Sequence, residues 1–248
     1  MPPTSTRSAI QGNATPPPWM ADLPRLHHPR AKAFQHLPSH AASTWVAGRP
    51  IFSVDARKMR VLAVRQHCWQ CGYLIAGPVY VISTEQDNNH LYGDLYTQAF
   101  GPLHRSCALY AALACPFLRY PKSRRRIGDR SPRGTASIQG FNHCGAFFPP
   151  SPITFMCFGY FSATETIPLT DHARIAELYE KAVSVDAATG FTRTPRLSWT
   201  DSADDVRRLT DAWSEEKQKL QAWARTSVVT IDGRTYRGHA LDQSRAGV

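Results

Sequence analysis

Long apolar runs are missing from this chain. The longest, "ITFMCFGYF" at 153–161, suits a buried strand and falls well short of a membrane span. Acidic residues are absent from the first 21 positions, where "MPPTSTRSAIQGNATPPPWM" is polar and proline-rich. With no apolar core this segment does not read as a secretory signal, and its lack of acids gives only a faint likeness to an organelle transit segment. A disordered leader is expected instead. Without export, the six cysteines are expected as thiols or metal ligands rather than disulfides. Catalytic signatures are equally scarce. No Gly-rich phosphate loop and no Gly-x-Ser-x-Gly elbow is present, which leaves the common phosphoryl-transfer and hydrolase patterns without a foothold.

What the chain does have is length, charge and two metal-spaced residue pairs. Its 248 residues suffice for one large domain or two small ones, and an apolar fraction of 42% supports a real core. The formal charge of +10 is concentrated in two places. Residues 1–67 hold nine Lys/Arg against Asp22 and Asp55, and "RYPKSRRRIGDRSPR" at 119–133 holds seven against Asp129. Such clustering fits a polyanion, either nucleic acid or an acidic protein surface, and it equally fits a solvated loop that keeps the protein soluble.

Periodicity divides the chain into elements. Eight prolines in residues 1–40 predict an extended, loosely packed arm. "STWVAGRPIFSVD" at 43–55 reads as two strands around a turn, followed by a helix over 56–66 capped by Asp55. "YLIAGPVYVIS" at 73–83 predicts a hairpin or bent strand, with a polar loop over 84–96. A short helix is predicted at 103–115, begun near Pro102 and stopped by Pro116. Residues 135–163 read as a second β unit. A helix over 171–184 places Ile175, Leu178, Tyr179 and Ala182 on one stripe, with Thr170 as its cap. Another at 202–225 carries Val206, Leu209, Trp213, Leu220 and Trp223, with Glu216 interrupting the apolar repeat. "VVTIDGRTYRG" at 228–238 predicts a C-terminal hairpin on its Asp-Gly turn. The expected organisation is an arm (1–40), a metal-binding unit (41–118), a basic linker (119–134) and a second α+β unit (135–248).

Cys68 and Cys71 in "CWQCG" can approach one ion if the backbone between them makes a tight knuckle, and Gly72 permits the left-handed turn this needs. His104 and Cys107 lie three apart at the start of a predicted helix, hence on one face. Together they read C-x₂-C-x₃₂-H-x₂-C: a knuckle, a β hairpin, then a helix whose start closes the site. That is the order of a treble-clef zinc finger, with one structural Zn²⁺ on four ligands. The competing reading makes Cys68 and Cys71 a redox pair, although such a pair normally opens a helix after a strand. Cys115 shares the helix face with Cys107 but lies about 12 Å further along the axis. It, Cys144 and Cys157 read as buried thiols, and His67 and His90 are substitute ligands.

Four protein ligands leave no open position for water, and three thiolates make a poor Lewis acid. Nucleobase deaminases need a His-x-Glu before a Pro-Cys-x-x-Cys; here the order is reversed and the Glu is missing. A nuclease of the His-Asn-His type would need further histidines, and Asn142 and His143 stand far from the predicted helix.

Cys68-Trp69-Gln70-Cys71-Gly72, Gly77-Pro78, Pro102-Leu103-His104-Arg105-Ser106-Cys107-Ala108 and Ala114-Cys115-Pro116-Phe117-Leu118 resemble a family of small bacterial and bacteriophage proteins. That family shares a Cys-Trp-x-Cys-Gly knuckle and a His-Arg-x-Cys-Ala helix ending in Ala-Cys-Pro-Phe-Leu, followed by a basic stretch. The resemblance covers roughly residues 44–127. It implies a bacterial or mobile-element origin and the same four ligands, and it implies no activity.

The expectation is therefore a non-enzymatic, zinc-stabilised α+β protein that contacts DNA or RNA through Arg119, Lys122, Arg124, Arg125, Arg126, Arg130 and Arg133. The rival is a protein–protein adaptor or virion-associated component, docking or self-associating through the 202–225 helix; simple core packing of Trp213 and Trp223 competes with that use. An enzyme ranks third. The expected location is a bacterial cytoplasm or a virion, with no membrane partner.

Overall fold

The computed structural model describes residues 14–27, 35–84, 89–92, 95–98, 101–115, 118, 136–149 and 156–241, and these form a mixed α+β protein. Strands β1 (Ser43–Val46) and β2 (Arg49–Val54) make a hairpin through Ala47 and Gly48, as the 43–55 pattern predicts. Asp55 then caps α1 (Ala56–Val64), its carboxylate accepting from the Arg57 N–H at 2.8 Å and the Lys58 N–H at 3.4 Å. Val61, Leu62 and Ala63 are fully buried. Beyond the helix, Gln66 at φ 56° turns the chain into the cysteine segment.

Strands β3 (Val79–Thr84), β4 (Asn89–Tyr92), β5 (Leu95–Gln98), β6 (Ala136–Phe147), β7 (Cys157–Pro168), β8 (Val228–Ile231) and β9 (Arg234–Ala240) form one antiparallel sheet. Its spine is β6. Along one side β7 pairs from Ser137 to Phe147; on the other, β3 takes Ala136–Phe141 and β9 takes Gly145–Phe147. The polar segment expected as a loop over 84–96 instead contributes β4 and β5. Those strands exist because β5 finds a distant partner, with Thr97 opposite Gly159 of β7. Strands from both sides of the Arg-rich stretch thus share hydrogen bonds in one sheet.

The remaining helices are α2 (Arg105–Ala114), α3 (His172–Ala188) and α4 (Ala203–Thr226). On α3, Ile175 and Ala182 are buried and Tyr179 meets Tyr110 of α2, ring centroids 6.2 Å apart. The cap is Asp171 rather than Thr170, because its carboxylate receives the Arg174 N–H at 3.0 Å. On α4, Leu209 and Leu220 are buried, as the repeat requires. Glu216 fills an apolar slot, 0% exposed, because α1 brings Arg65 to it: Nε donates to Oε1 at 2.7 Å. Trp213 lies under the Arg60 guanidinium and Trp223 stacks on His239 at 4.1 Å, so both find partners inside the chain.

The N-terminal segment departs from the loose arm expected over 1–40. Among its described residues, Trp19, Met20, Leu23, Leu26 and Leu37 are buried in the main core. Burying a side chain of this kind stabilises by about 1.5–3 kcal/mol, which offsets part of the entropy lost on ordering the segment. Arg196 fixes it further, donating to Asp22 at 2.9 Å and to the Trp19 carbonyl. Among the described residues, no helix is long and apolar enough to cross a membrane.

Candidate metal centre

The segment from Gln66 to Ile75 folds back on itself. His67 bridges Leu74, the Cys68 N–H donates to the Tyr73 carbonyl at 2.8 Å, and the Ile75 N–H donates to the Gln66 carbonyl at 2.9 Å. The turn closes when the Gly72 N–H donates to the Cys68 carbonyl at 2.7 Å. Gly72 sits at φ +80°, and a Cβ there would lie 2.3 Å from the Leu197 carbonyl oxygen. Leu197 in turn donates its N–H to the Gly72 carbonyl at 2.8 Å. Only glycine satisfies both the dihedral and the approach.

The second pair is set by α2. Leu103 exchanges two backbone hydrogen bonds with Tyr80 of β3, at 2.9 and 3.0 Å, and His104 follows at the N-cap position of α2, its side chain making no capping bond. Cys107 follows in the first turn. Orphan N–H groups at this helix start attract a carboxylate, and Asp186 of α3 supplies it, accepting from the Ser106 N–H at 3.0 Å and from the Ser106 hydroxyl. Arg105 grips Glu165 of β7 with both prongs, at 2.7 and 2.8 Å, while the Tyr80 hydroxyl donates to the same carboxylate at 3.0 Å. Helix, strand and sheet are therefore locked together next to the ligands.

The result is the expected set in one place. Cys68, Cys71, His104 and Cys107 are all buried, and their ligand atoms lie within 4.8 Å of one another. A tetrahedral ion with metal–sulfur bonds of about 2.3 Å spaces its ligands roughly 3.8 Å apart, so the cluster matches the size of one metal ion. The His104 ring is oriented for it. Its Nδ1 is 3.3 Å from Cys71 Sγ, while Nε2 lies 3.1 Å from the Leu74 carbonyl, to which an Nε2–H would donate. Phe191, in the turn after α3, stacks on that ring at 4.3 Å and shields it from water.

Electrostatics point the same way. Burial opposes charge on every sulfur, but at Cys68 hydrogen bonds from Cys107, Cys71 and His104 outweigh it and hold the thiol well below its ordinary range. At Cys71 and Cys107 burial dominates and pushes the thiols well up. Burial lowers His104, yet the Cys68 sulfur beside it wins and raises the imidazole. The chain's own groups therefore stabilise one thiolate, and charge on all three sulfurs calls for a cation at the centre.

Asp186, Glu165 and Phe191 had no signal in the sequence, since each reaches the site from 60 or more residues away. His67, a substitute ligand by sequence, has Nδ1 2.8 Å from the Arg65 carbonyl and stays outside the cluster; the side chain of His90 is outside the described residues. Cys115 ends α2 half-buried, and Cys144 and Cys157 are buried on β6 and β7; none of the six forms a disulfide. Arg119, Lys122, Arg124, Arg125, Arg126, Arg130 and Arg133 lie outside the described residues. Comparison with protein-family models, with curated proteins and with solved structures finds no match, so the functional reading rests on the chain's own geometry and charge.

Proposed function

We propose that the chain is a non-enzymatic binding protein in which Cys68, Cys71, His104 and Cys107 hold one structural Zn²⁺ and the basic stretch 119–133 contacts nucleic acid. One observation carries the structural role: four buried donors within 4.8 Å form a complete ligand set. Such a set leaves no position for water or substrate, and a thiolate-rich shell with one imidazole is the donor chemistry zinc prefers. The order of knuckle, strands β3 to β5 and helix start supports a treble-clef-like unit, with the β4–β5 pair in place of the hairpin read at 73–83. When bound, the ion ties the loop after α1 to the start of α2, and the residues around it serve to exclude water and orient the ligands.

The nucleic-acid half is supported by charge. Seven Lys/Arg against Asp129 within 15 residues would neutralise phosphates with little regard to sequence. A binding titration against duplex and single-stranded DNA across salt concentrations tests it. Replacing Arg124, Arg125 and Arg126 with Ala should weaken every sequence by a similar factor and lower the salt slope by up to about three. Wild-type protein without salt-sensitive binding at low ionic strength would transfer the stretch to an acidic protein surface. An adaptor working through Trp213 and Trp223 has less to draw on, because both rings already have partners within the chain.

A further inference from the structure

A half-open cavity of about 290 Å³ lies between the knuckle, the N-terminal segment, β2 and α2. Its walls are largely apolar, and three aromatic side chains from three different elements line it: Phe52 of β2, Trp69 of the knuckle and Tyr110 of α2. Among its described lining residues there is no Asp, Glu, Lys or Arg. Among these residues a charged ligand finds no counter-ion to offset its lost hydration, so the described walls favour a neutral one. His40 also lines the cavity, only 9% exposed and edge-on to Trp69 at 5.2 Å. Burial, with Lys58 nearby, lowers its pKa to about 4, so the ring is neutral at physiological pH and can donate or accept.

We infer that this cavity binds a compact, uncharged aromatic molecule, held among Phe52, Trp69 and Tyr110 beside the His40 ring. Flat rings match the aromatic walls. The inference draws on the cavity's described walls and not on the basic stretch 119–133 or the nucleic-acid reading. The metal centre does shape the site, because Trp69 and Gln70 are the residues between Cys68 and Cys71 and both line the cavity.

The test uses full-length protein as isolated and two fluorescent probes with the same rings, neutral N-phenyl-1-naphthylamine and the anionic 1-anilinonaphthalene-8-sulfonate. The neutral probe should bind saturably at one site, quench tryptophan by energy transfer, and bind about ten-fold or more tighter than the sulfonate. Ala111→Phe, which puts a ring into the cavity, should lower its affinity about ten-fold or more. Phe52→Ala removes a wall at a position already 39% exposed, so the fold should be spared, and affinity should fall several-fold. Far-ultraviolet circular dichroism and the melting temperature check folding, and if Ala111→Phe does not fold, Phe52→Ala decides. Non-saturable binding, equal affinity for the sulfonate, or unchanged affinity in the folded variants would overturn the inference. So would competitive displacement of the neutral probe by a short single-stranded oligonucleotide, which would assign the cavity to a base.

Discussion

Two clusters of ionisable groups with buried members are built on opposite plans in this molecule. At the contact of α1 with α4, Glu216 is wholly buried, but Arg65 and Lys219 approach it at 2.7 and 3.2 Å. There the chain supplies both signs of charge, both cations reaching Oε1, while Glu216 Oε2 has no hydrogen-bond partner among the described residues. At the metal centre, three cysteines and His104 converge with no Lys, Arg, Asp or Glu in the set. The donors are all present, and charging all three sulfurs would need a cation from outside. Buried charge can thus be met by partners within the chain or, under the zinc proposal, by a bound ion.

If that contrast is right, the largest effect should come from Cys71→Ser. Losing one ligand should forfeit most of the folding free energy that structural zinc contributes, roughly 10–16 kcal/mol in small finger peptides. Metal content per chain and the melting temperature would report it. A variant that keeps stoichiometric metal would place the fourth ligand elsewhere. Next in size is Gly72→Ala, where a left-handed dihedral costs about 1–2 kcal/mol and the clash with Leu197 adds more, for a total of roughly 3 kcal/mol. Gly233→Ala is the internal control: φ is +76° there too, but the space beside it is open, so only about 1–2 kcal/mol should be lost. Equal losses at the two glycines in denaturant titrations would remove the knuckle's close approach from the account.

Glu216 sharpens the other side of the comparison. Glu216→Gln should cost about 1–3 kcal/mol, because a buried partner of Arg65 is weakened. Glu216→Leu should cost less, under about 1 kcal/mol, since it restores the apolar repeat of α4 while Glu215 still pairs with Arg65 at 2.7 Å. The reverse order of stabilities would show that the ion pair itself holds α4 in place. The smallest effects belong to the thiols outside the cluster. Cys115→Ala and Cys157→Ala should each lose about 1 kcal/mol and keep all of the metal. Release of metal by either variant would redraw the ligand set.

These contrasts also explain what could be read from the residues alone. The knuckle, the Asp55 cap, the 43–55 hairpin and the Asp232-Gly233 turn are local devices, each complete within a few residues, so spacing and residue type identify them. The four ligands were legible for the same reason, as two short pairs. What escaped was long-range. Strands β4 and β5 carry a polar sequence and depend on β7 for their pairing. Trp19 is held by contacts with Phe191 and Arg196, far along the chain. Asp186 sits in the last turn of α3, and nothing around it announces that it will accept from the start of α2. Glu216 was visible as an interruption of the apolar repeat, but its partner 151 residues away was not.

The most direct test of the metal centre is X-ray absorption at the metal edge, combined with elemental analysis, on freshly prepared protein kept reduced. The account predicts about one zinc per chain with a first shell of three sulfurs and one nitrogen at bond lengths near 2.3 and 2.0 Å. No stoichiometric metal, or a shell that includes a water-like oxygen in place of one sulfur, would contradict it.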